Sequence, residues 1–516
     1  MEIIRGDNGW KGRVPMAYQD MIEQVDVELL SKYPRDRLKE YRLIPLFREG
    51  EVTYFLADRQ PPLPVLDELA VYSLSSIEIK LIASSELNLL INEFLEAPLE
   101  TVEGMMEDLD SVYGDISDFD LDSKVENLEE LAQEAPIISL VNVIITSALK
   151  KRASDIHLEP FEDFIRLRYR IDGILYDSPA PPRRLFPAIV TRIKIMAGLN
   201  ITERRLPQEG RIRIRVLGRE LDIRVSTIST LYGESVVMRL LDRAEFLLEL
   251  ENLGLNKDIL QQYYNMIKIS HGIILVTGPT GSGKTTTLYA TLNYLNSAEK
   301  KIITIEDPVE YQLDGINQIQ VKPEIDFTFA RGLRSILRQD PDIIMIGEIR
   351  DVETASIAIQ AALTGHLVFA TLHTNDAASA VIRLLDMGIE DYLLMATLKG
   401  VLAQRLVRVL CPHCREQYMA EKDAMGFAMD KYQGKIYYRA VGCTECNNIG
   451  FSGRTGIYEF LPIEEEIQGL INKTADVSGI RKAASNAGLK TLFDDGMDKV
   501  EQGITTVDEV IRVTRH

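Results

Sequence analysis

Residues 273 to 290 read Ile273-Ile-Leu-Val-Thr277-Gly278-Pro279-Thr280-Gly281-Ser282-Gly283-Lys284-Thr285-Thr286-Thr-Leu-Tyr-Ala290. The apolar run is typical of a buried strand, the glycines favour a tight turn, and the last run is typical of a helix. In such a turn successive backbone N–H groups point at one spot, and the helix N-terminus adds its positive dipole end. The stretch therefore predicts a phosphate-binding loop, whereas a glycine-rich turn without these flanks indicates only a tight turn.

Two side chains at the end of the loop indicate which phosphate compound it takes. Lys284 is placed to reach the β- and γ-phosphates, and the Thr285 hydroxyl to bind the Mg²⁺ that bridges them. We therefore expect residues 278–286 to bind ATP with Mg²⁺, and Lys284 also to take part in catalysis.

The composition is that of an ordinary soluble protein, and 516 residues are enough for three or four domains. No apolar run approaches the roughly 20 residues needed to cross a bilayer, and the N-terminus lacks the apolar core of a signal peptide. We therefore expect a cytoplasmic protein. Its formal net charge of −20 disfavours binding to a nucleic-acid backbone through the general surface field, although it permits a local basic patch.

The residue pattern divides the chain into four parts. Residues 100–134 hold 13 acidic residues against one basic residue, Lys124, which predicts a self-repelling linker over residues 99–135. Apolar residues within this linker leave open that part of it folds on a partner. The other parts are a small N-terminal domain over residues 1–98, an α+β domain over residues 136–245, and an α/β domain over residues 246–516 with a helical tail over residues 462–516.

Arginine alternates with apolar residues in two strand-like runs of the α+β domain, residues 165–171 and 211–216. One face of this domain is therefore expected to be dense in guanidinium groups. A solvated, salt-bridged sheet face is one interpretation, and a face that lies against phosphates or an acidic neighbour is the other.

A second apolar run, Asp342-Ile-Ile-Met-Ile346, ends in Gly347-Glu348-Ile349-Arg350-Asp351. Strands alternate with helices in this region, which predicts a parallel α/β sheet with the nucleotide at the carboxyl ends of its strands. Glu348 is then placed to orient the attacking water and to accept its proton. Because Gly347 takes a position where an acidic residue is common, we expect Mg²⁺ to be held mainly by Thr285, the phosphates and water.

Two further apolar runs end in polar residues that should lie at the same edge of the sheet. Ile302-Ile-Thr-Ile305 leads to Glu306, and Leu367-Val-Phe-Ala-Thr-Leu372 leads to His373. Glu306 is a candidate for holding water or metal, with a strand-end salt bridge as the alternative. His373 is a candidate sensor of the γ-phosphate, with a purely structural histidine as the alternative.

Charge stabilisation at a transferring phosphoryl group requires cations beyond Lys284, and arginine is the usual source. The candidates are Arg224, Arg239, Arg334, Arg338, Arg350 and Arg383. Arg331, Arg334 and Arg338 recur at roughly helical spacing, so they share one face and have an acidic neighbour as an alternative partner.

The four cysteines form two C-x₂-C pairs, Cys411 with Cys414 and Cys443 with Cys446, separated by 28 residues. Four thiolates in such pairs match a closed, tetrahedral Zn²⁺ site of the structural kind. We expect an excursion over residues 408–450 that unfolds without the metal. Two reactive dithiol pairs are the alternative interpretation.

Several motifs in this order resemble the secretion ATPase superfamily of type II secretion and type IV pilus machines. They are the phosphate loop, residues 303–310, residues 347–351, residues 370–374 and the four cysteines. The resemblance is strong over about residues 136–516 and weak before them. It implies a RecA-like P-loop NTPase domain with a zinc-binding excursion, preceded by a PAS-like α+β domain and by a small N-terminal α/β domain.

The resemblance also implies roles for single residues. Glu348 is similar to the catalytic glutamate of the family, Glu306 to the acid of its Asp box, and His373 to the residue of its His box. Arg224 and Arg239 match the nucleotide-contacting arginines that the family supplies from the domain before the motor.

Members of the family are hexamers, so the resemblance implies a homo-hexamer that hydrolyses ATP to drive pseudopilus assembly and protein export. It further implies a peripheral location at the inner membrane of a bacterium, through platform proteins that bind residues 1–98. Within the family the chain is most similar to type II secretion ATPases, with type IV pilus assembly ATPases as the alternative. A nucleic-acid translocase and a scaffold that binds ATP without hydrolysing it are competing functions, and the acidic balance leads us to expect no nucleic-acid partner.

Overall fold

The computed structural model describes residues 125–216, 219–242, 249–419, 435–474 and 477–515, together with residues 25–91 apart from short gaps. Most of the predicted acidic linker, residues 99–124, and part of the predicted zinc excursion, residues 420–434, lie outside the described residues. The contacts divide the chain into two units, Met1–Ala244 and Glu245–His516.

The elements are numbered in chain order within the described residues. The helices are α1 (Arg35–Tyr41), α2 (Val125–Ala132), α3 (Ala135–Lys150), α4 (Phe186–Ala197), α5 (Lys257–Ile267), α6 (Lys284–Leu295), α7 (Phe329–Ile336), α8 (Val352–Leu363), α9 (Ala377–Asp386), α10 (Asp391–Thr397), α11 (Glu465–Thr474), α12 (Val477–Asn486), α13 (Leu492–Glu501) and α14 (Val507–Thr514). The strands are β1 (Leu43–Glu49), β2 (Val52–Ala57), β3 (Ser76–Leu81), β4 (Ala153–Pro160), β5 (Ile165–Ile171), β6 (Ile174–Ser178), β7 (Gln208–Val216), β8 (Arg219–Thr230), β9 (Gly233–Asp242), β10 (Gly272–Thr277), β11 (Ile302–Glu306), β12 (Asn317–Gln320), β13 (Ile343–Ile346), β14 (Leu367–Leu372), β15 (Leu398–Leu410), β16 (Glu416–Met419), β17 (Ile436–Arg439) and β18 (Phe451–Pro462).

The second unit is built on a seven-stranded sheet with the order β12-β11-β13-β14-β10-β15-β18. All neighbouring pairs are parallel except β15 and β18, which are antiparallel. Every residue of β10, β13 and β14 is buried, as expected for strands that helices cover on both faces. The predicted parallel α/β sheet is thus confirmed.

Successive residues of β10 belong to two different apolar cores. Ile273 and Leu275 lie in a core with residues of α7 to α10 and of the C-terminal helices, whereas Ile274 and Val276 lie in a core with residues of α5 and α6. This alternation follows from the period of two in a strand. The carboxyl end of β10 therefore leads directly into the loop before α6, with packed helices on either side of the strand.

The first unit contains a six-stranded antiparallel sheet with the order β6-β5-β4-β9-β8-β7. Apolar residues of its strands, such as Ile156, Leu167 and Met238, are buried. Helices α3 and α4 contact this sheet, and the Tyr169 hydroxyl on β5 donates a hydrogen bond of 3.2 Å to the Ile144 carbonyl of α3. The arginines that alternate with these apolar residues occupy the opposite face.

A separate three-stranded sheet of the first unit has the order β1-β2-β3, with β1 and β2 antiparallel and β2 and β3 parallel. Its core includes Leu43, Ile44 and Phe55.

Farther along the chain, the last residues of the predicted linker form helix α2, which buries Leu128 and Leu131 and packs against α4. The folded part before α3 therefore begins earlier than the sequence pattern predicted.

None of the described helices combines the length and the apolar character that crossing a membrane requires.

Candidate functional site

The loop of residues 278–283 joins β10 to α6 and is shaped by glycines. Gly278 has φ 152° and Gly283 has φ 87°, in the range that favours glycine. A Cβ at Gly278 would lie 2.5 Å from the Gln404 carbonyl oxygen, and one at Gly283 would lie 2.7 Å from Gln404 Nε2. Glycine is thus required at both positions, by the backbone conformation and by the lack of space for a Cβ. A loop whose N–H groups converge on a ligand has the same requirement.

Lys284 begins α6 and folds back over the loop. Its side chain is only 9% exposed, and Nζ donates hydrogen bonds of 2.8 Å to the Gly278 carbonyl and 3.0 Å to the Pro279 carbonyl. Burial lowers the pKa of Lys284 to about 8, with the Glu348 charge opposing this shift and the Arg405 charge adding to it. A partly dehydrated cation held by neutral carbonyls is suited to exchange them for phosphate oxygens, which accept stronger hydrogen bonds.

Three hydroxyl side chains of the loop and the first turn of α6 have different surroundings. The Ser282 hydroxyl oxygen is buried and has no hydrogen-bond partner among the described residues. Thr285 is exposed and Thr286 is half-buried. A buried hydroxyl without a partner beside a helix N-terminus fits the phosphate group that the sequence predicts, and Thr285 remains accessible to a metal ion.

Glu348 follows β13 and lies beside Arg350 and His373. Its Oε1 accepts a short hydrogen bond from Arg350, and its Oε2 lies 3.4 Å from His373 Nε2. Arg350 also lies 3.6 Å from an oxygen of Asp307, through its other terminal nitrogen. The structure therefore brings two of the predicted residues, Glu348 and His373, into one cluster, which also contains Asp307 and Arg350.

His373 follows β14 and remains partly open to solvent, with a side chain that is 48% exposed. Burial of the rest of the ring and the charge of Lys284 lower the pKa of His373, although the Glu348 carboxylate opposes the shift. The lowered pKa favours the neutral form of the ring. A neutral imidazole next to Glu348 and near Lys284 is well placed to respond to added phosphate charge.

Gly347 directly follows β13 and lies close to the end of β11. A Cβ at this position would lie 3.2 Å from the Ile305 carbonyl oxygen and 3.3 Å from the Glu306 Cα. The Gly347 N–H also donates a hydrogen bond of 2.8 Å to the Ile305 carbonyl. The backbone contact between the two strands thus explains the missing acidic residue before Glu348.

Glu306, at the end of β11, is not brought into the Glu348 cluster. It is 3% exposed, and its oxygens accept hydrogen bonds from the Tyr289 hydroxyl, from Thr304 Oγ1 at 2.6 Å and from Gln318 Nε2 at 3.2 Å. Burial raises the pKa of Glu306, and these donors oppose the shift. In this conformation the carboxylate is held by neutral donors, and the salt bridge that was the alternative for Glu306 is made by its neighbour Asp307 instead.

Two residues that support the loop were missed by sequence reasoning. Gln404 and Arg405 are 2% and 3% exposed in β15, which pairs with β10. Gln404 Oε1 accepts a 2.7 Å hydrogen bond from Thr287 Oγ1 of α6, and Arg405 donates to the Asn375 carbonyl at 2.9 Å. A polar pair at the centre of the strand Leu398–Leu410, whose only other charged residues are Lys399 and Arg408, was the available signal.

A pair of threonines joins the loop strand to the segment that carries His373. Thr277, the last residue of β10, and Thr374 have hydroxyl oxygens 2.7 Å apart, and the Thr374 N–H donates to Thr277 Oγ1 at 3.1 Å. The end of β14 is therefore fixed relative to the start of the phosphate loop.

The first unit brings Arg224 and Arg239 together on one face of its sheet. They are directly opposite each other on β8 and β9, and Arg239 Nε donates a hydrogen bond of 3.0 Å to Asp155 Oδ1. The same row crosses five strands of the sheet. In strand order it contains Arg170, Asp155, Arg239, Arg224 and Arg211.

The arginines of the second unit lie in other surroundings. Arg331 pairs with Asp326 at 2.6 Å and Arg334 with Glu353 at 2.5 Å, which fits the acidic neighbours weighed as an alternative. Arg338 donates to the Arg334 carbonyl at 2.8 Å, and Arg383 is exposed in α9. Of this group and Arg350, only Arg350 contacts Glu348 among the described residues.

The four cysteines form one cluster. Their sulfur atoms all lie within 4.8 Å of one another, with 3.9 Å between Cys411 and Cys443 and 3.8 Å between Cys414 and Cys446. A tetrahedral zinc ion with Zn–S bonds of about 2.3 Å places its sulfur ligands about 3.8 Å apart. Backbone N–H groups of residues 442, 443 and 450 point at two of the sulfur atoms, as they do around thiolates. The cluster therefore fits zinc.

Comparison with known proteins gives consistent results for most of the chain. A family model described as "Type II/IV secretion system protein" matches residues 130–512. The chain is 48% identical over 481 residues to the type II secretion system protein E of Xanthomonas campestris, an alignment that covers 92% of this chain and 84% of that protein. It is 43% identical over 499 residues to the type IV pilus assembly ATPase PilB of Myxococcus xanthus, which covers 94% of this chain and 87% of that protein.

A solved structure supports the fold over most of the chain. The crystal structure of the pilus retraction motor PilT with bound ADP matches with a TM-score of 0.50 and 27% identity, and the match covers 73% of this chain and 97% of that chain. The predicted RecA-like architecture is confirmed by this likeness and by the parallel sheet.

Proposed function

The chain belongs to the family of type II/IV secretion system proteins, and from that premise we propose that it is the ATP-hydrolysing motor of a type II secretion system. One observation carries the proposal: a glycine-shaped loop with a buried lysine lies in the same unit as a glutamate that is held between Arg350 and His373. Such an arrangement combines the means to bind a triphosphate with the means to activate water.

The proposed mechanism assigns each step to residues of this chain. The N–H groups of the loop and Lys284 bind the phosphates, and the Thr285 hydroxyl binds the metal ion. A Mg²⁺ ion held there would supply positive charge that offsets the negative charge of the phosphates. Glu348 orients a water molecule and accepts its proton, while Arg350 and His373 hold the carboxylate in place.

We extend the proposal to the assembly. Arg224 and Arg239 are proposed as the arginines that stabilise the transferring phosphoryl group, in a homo-hexamer located in the cytoplasm and peripherally at the inner membrane of a bacterium. Their common position on one sheet face supports a joint role. Residues 1–98 are proposed to bind a platform protein of that membrane, and no nucleic-acid partner is proposed.

The type IV pilus assembly ATPase remains the second candidate, because the PilB match covers nearly the whole chain. Affinity capture with the full-length chain distinguishes the two. Recovery of a secretion platform protein supports the first function, and recovery of a pilus platform protein supports the second.

Zinc at the four cysteines is proposed as a structural cofactor. The full-length protein should hold about one zinc ion per chain by elemental analysis, and Cys411→Ser together with Cys446→Ser should remove it. Chelation should lower the unfolding temperature, because metal binding is coupled to folding. Full thermal stability of the zinc-free protein would contradict this assignment.

Phosphate release from Mg-ATP by the full-length chain tests the main proposal. Lys284→Ala should abolish turnover and weaken nucleotide binding, since it removes the cation that the loop carries. Lys300→Ala, which changes an exposed lysine of the same unit, is the matched control and should behave as the wild type. Absence of Mg-dependent hydrolysis by the wild type, alone or with its partners, would refute the proposal.

A further inference from the structure

A closed hydrogen-bond network surrounds the Glu306 carboxylate. Tyr289 reaches it from α6 and is 1% exposed, Thr304 reaches it from β11 and is 0% exposed, and Gln318 reaches it from β12. Gln318 Nε2 also lies 3.3 Å from the Tyr289 hydroxyl oxygen. Three donors from three elements therefore converge on one buried acid. A carboxylate that is shielded from water requires such donors in place of water molecules.

Gln318 also holds the loop that follows β11. Its Nε2 donates to the Tyr311 carbonyl at 3.1 Å, and its Oε1 accepts a 2.7 Å hydrogen bond from the Leu313 N–H. The ring of Tyr311 packs edge-on against that of Tyr289, with 4.5 Å between their centroids. One side-chain amide thus uses both its donor and its acceptor to fix this loop to the phosphate-loop helix.

The same loop begins with Asp307, which belongs to the cluster around Glu348. Arg350 contacts both Glu348 and Asp307, so the position of Asp307 helps to determine where the guanidinium group lies. A guanidinium shared between two carboxylates binds each of them less tightly than one that is held by a single carboxylate. Movement of Asp307 would therefore change the environment of the proposed base.

We propose that Gln318 is a positioning residue for ATP hydrolysis: with Tyr289 it anchors Glu306 and the loop after β11, and thereby sets Asp307 against Arg350. Glu306 is accordingly an anchor of this network rather than a ligand of metal or water. The inference rests on the proposed ATPase function. It adds a chain of contacts through which the edge strand β12 positions the Glu348 cluster.

The test is a comparison of Gln318→Met with Gln320→Met in the full-length protein. The two glutamines lie on the same strand, but Gln318 is half-buried within the network and Gln320 is exposed. Gln318→Met should lower kcat about tenfold and leave the KM for ATP within about twofold, because geometry at the reacting group is lost while the phosphate loop is intact. Gln320→Met should behave as the wild type.

A double-mutant cycle separates positioning from general destabilisation. If Gln318 acts through Arg350, Gln318→Met should have little further effect on kcat in an Arg350→Ala background. Tyr289→Phe should lower kcat without changing the Mg²⁺ concentration for half-maximal activity, and Glu306→Gln should do the same.

Three results would overturn the inference. They are an unchanged kcat in Gln318→Met, an equal loss of kcat with and without Arg350, and a raised Mg²⁺ requirement in Glu306→Gln alone. A wild-type protein without hydrolysis would instead refute the proposed function, so the two failures are distinguishable.

Discussion

The ends of β11 and β13 differ in surroundings although their sequences follow the same plan. Each is a buried, isoleucine-rich strand that leads to a glutamate, and the two strands are parallel neighbours. Glu348 is reached by the charged or titratable side chains of Arg350 and His373, whereas Glu306 is 3% exposed and reached by uncharged donors. The side chains that cover an acid at a strand end therefore decide which contacts its carboxylate makes. Glu306, at the end of β11, is covered by side chains of the edge strand β12 and of helix α6.

The largest difference between the two glutamates should appear in turnover. Glu348→Gln is expected to lower kcat by roughly 10²- to 10⁴-fold, because a general base is lost, while Mg-nucleotide still binds. Phosphate release and binding of a fluorescent nucleotide measure the two effects. Glu353→Gln, an exposed glutamate that pairs with Arg334, is the control and should keep full turnover. Turnover within tenfold of the wild type in Glu348→Gln would show that the two strand ends do not differ in this way.

The free energy of unfolding should fall more when Glu306 is replaced than when Glu348 is replaced. Glu306→Leu removes the acceptor shared by the buried hydroxyls of Tyr289 and Thr304 and by the half-buried amide of Gln318, and we expect it to lower the free energy of unfolding by about 2–4 kcal/mol. Glu348→Leu removes a partly exposed ion pair and should cost less than about 1 kcal/mol. Calorimetry of the full-length variants makes the comparison. Equal losses would mean that the network around Glu306 adds nothing specific.

The close contact between the two strand ends predicts a smaller effect. Gly347→Ala places a Cβ 3.2 Å from the Ile305 carbonyl oxygen, and we expect a loss of about 1–2 kcal/mol as the strands adjust. Gly469→Ala is the matched control, since nothing lies within 4 Å of its Cβ. Thermal unfolding of both variants would settle the point, and a Gly347→Ala protein as stable as its control would remove the contact as the reason for glycine.

The smallest predicted effect concerns the pH dependence of nucleotide binding, which a change at Glu348 should shift and a change at Glu306 should not. Because the pKa of Lys284 is lowered to about 8, its charge is present below that pH and lost above it. Nucleotide affinity should therefore be about tenfold weaker at pH 9 than at pH 7. Glu348 raises the pKa of Lys284, so Glu348→Gln should move the midpoint to lower pH, and Glu306→Gln should not. Isothermal titration calorimetry over about pH 7 to 9.5 measures the nucleotide affinity. If the affinity falls with the same midpoint pH in both variants, Glu348 does not control the charge of Lys284.

The features that follow from local pattern were predictable from the sequence. The phosphate loop, the parallel strands and the pairing of the cysteines depend on residue type and spacing, and the structure has them as expected. The partners of Glu306 were not predictable, because Tyr289 and Gln318 lie 17 and 12 residues away along the chain and meet only through the order of the strands. Gln404 and Arg405 are visible as a polar pair in a mostly apolar strand, but their partners Thr287 and Asn375 lie 117 and 30 residues away along the chain. Long-range partners arise from topology, which the apolar pattern describes only in outline.

The row of charges across the six-stranded sheet has an energetic consequence for the first unit. Arg239, Arg224 and Arg211 are consecutive cross-strand neighbours, and like charges in such positions repel one another. Asp155, 3.0 Å from Arg239, and Asp222, 3.9 Å from Arg211, offset part of this repulsion, and dissolved salt should screen the remainder. An anion bound at this face would lower the remaining repulsion, so anion binding and the stability of the first unit should reinforce each other.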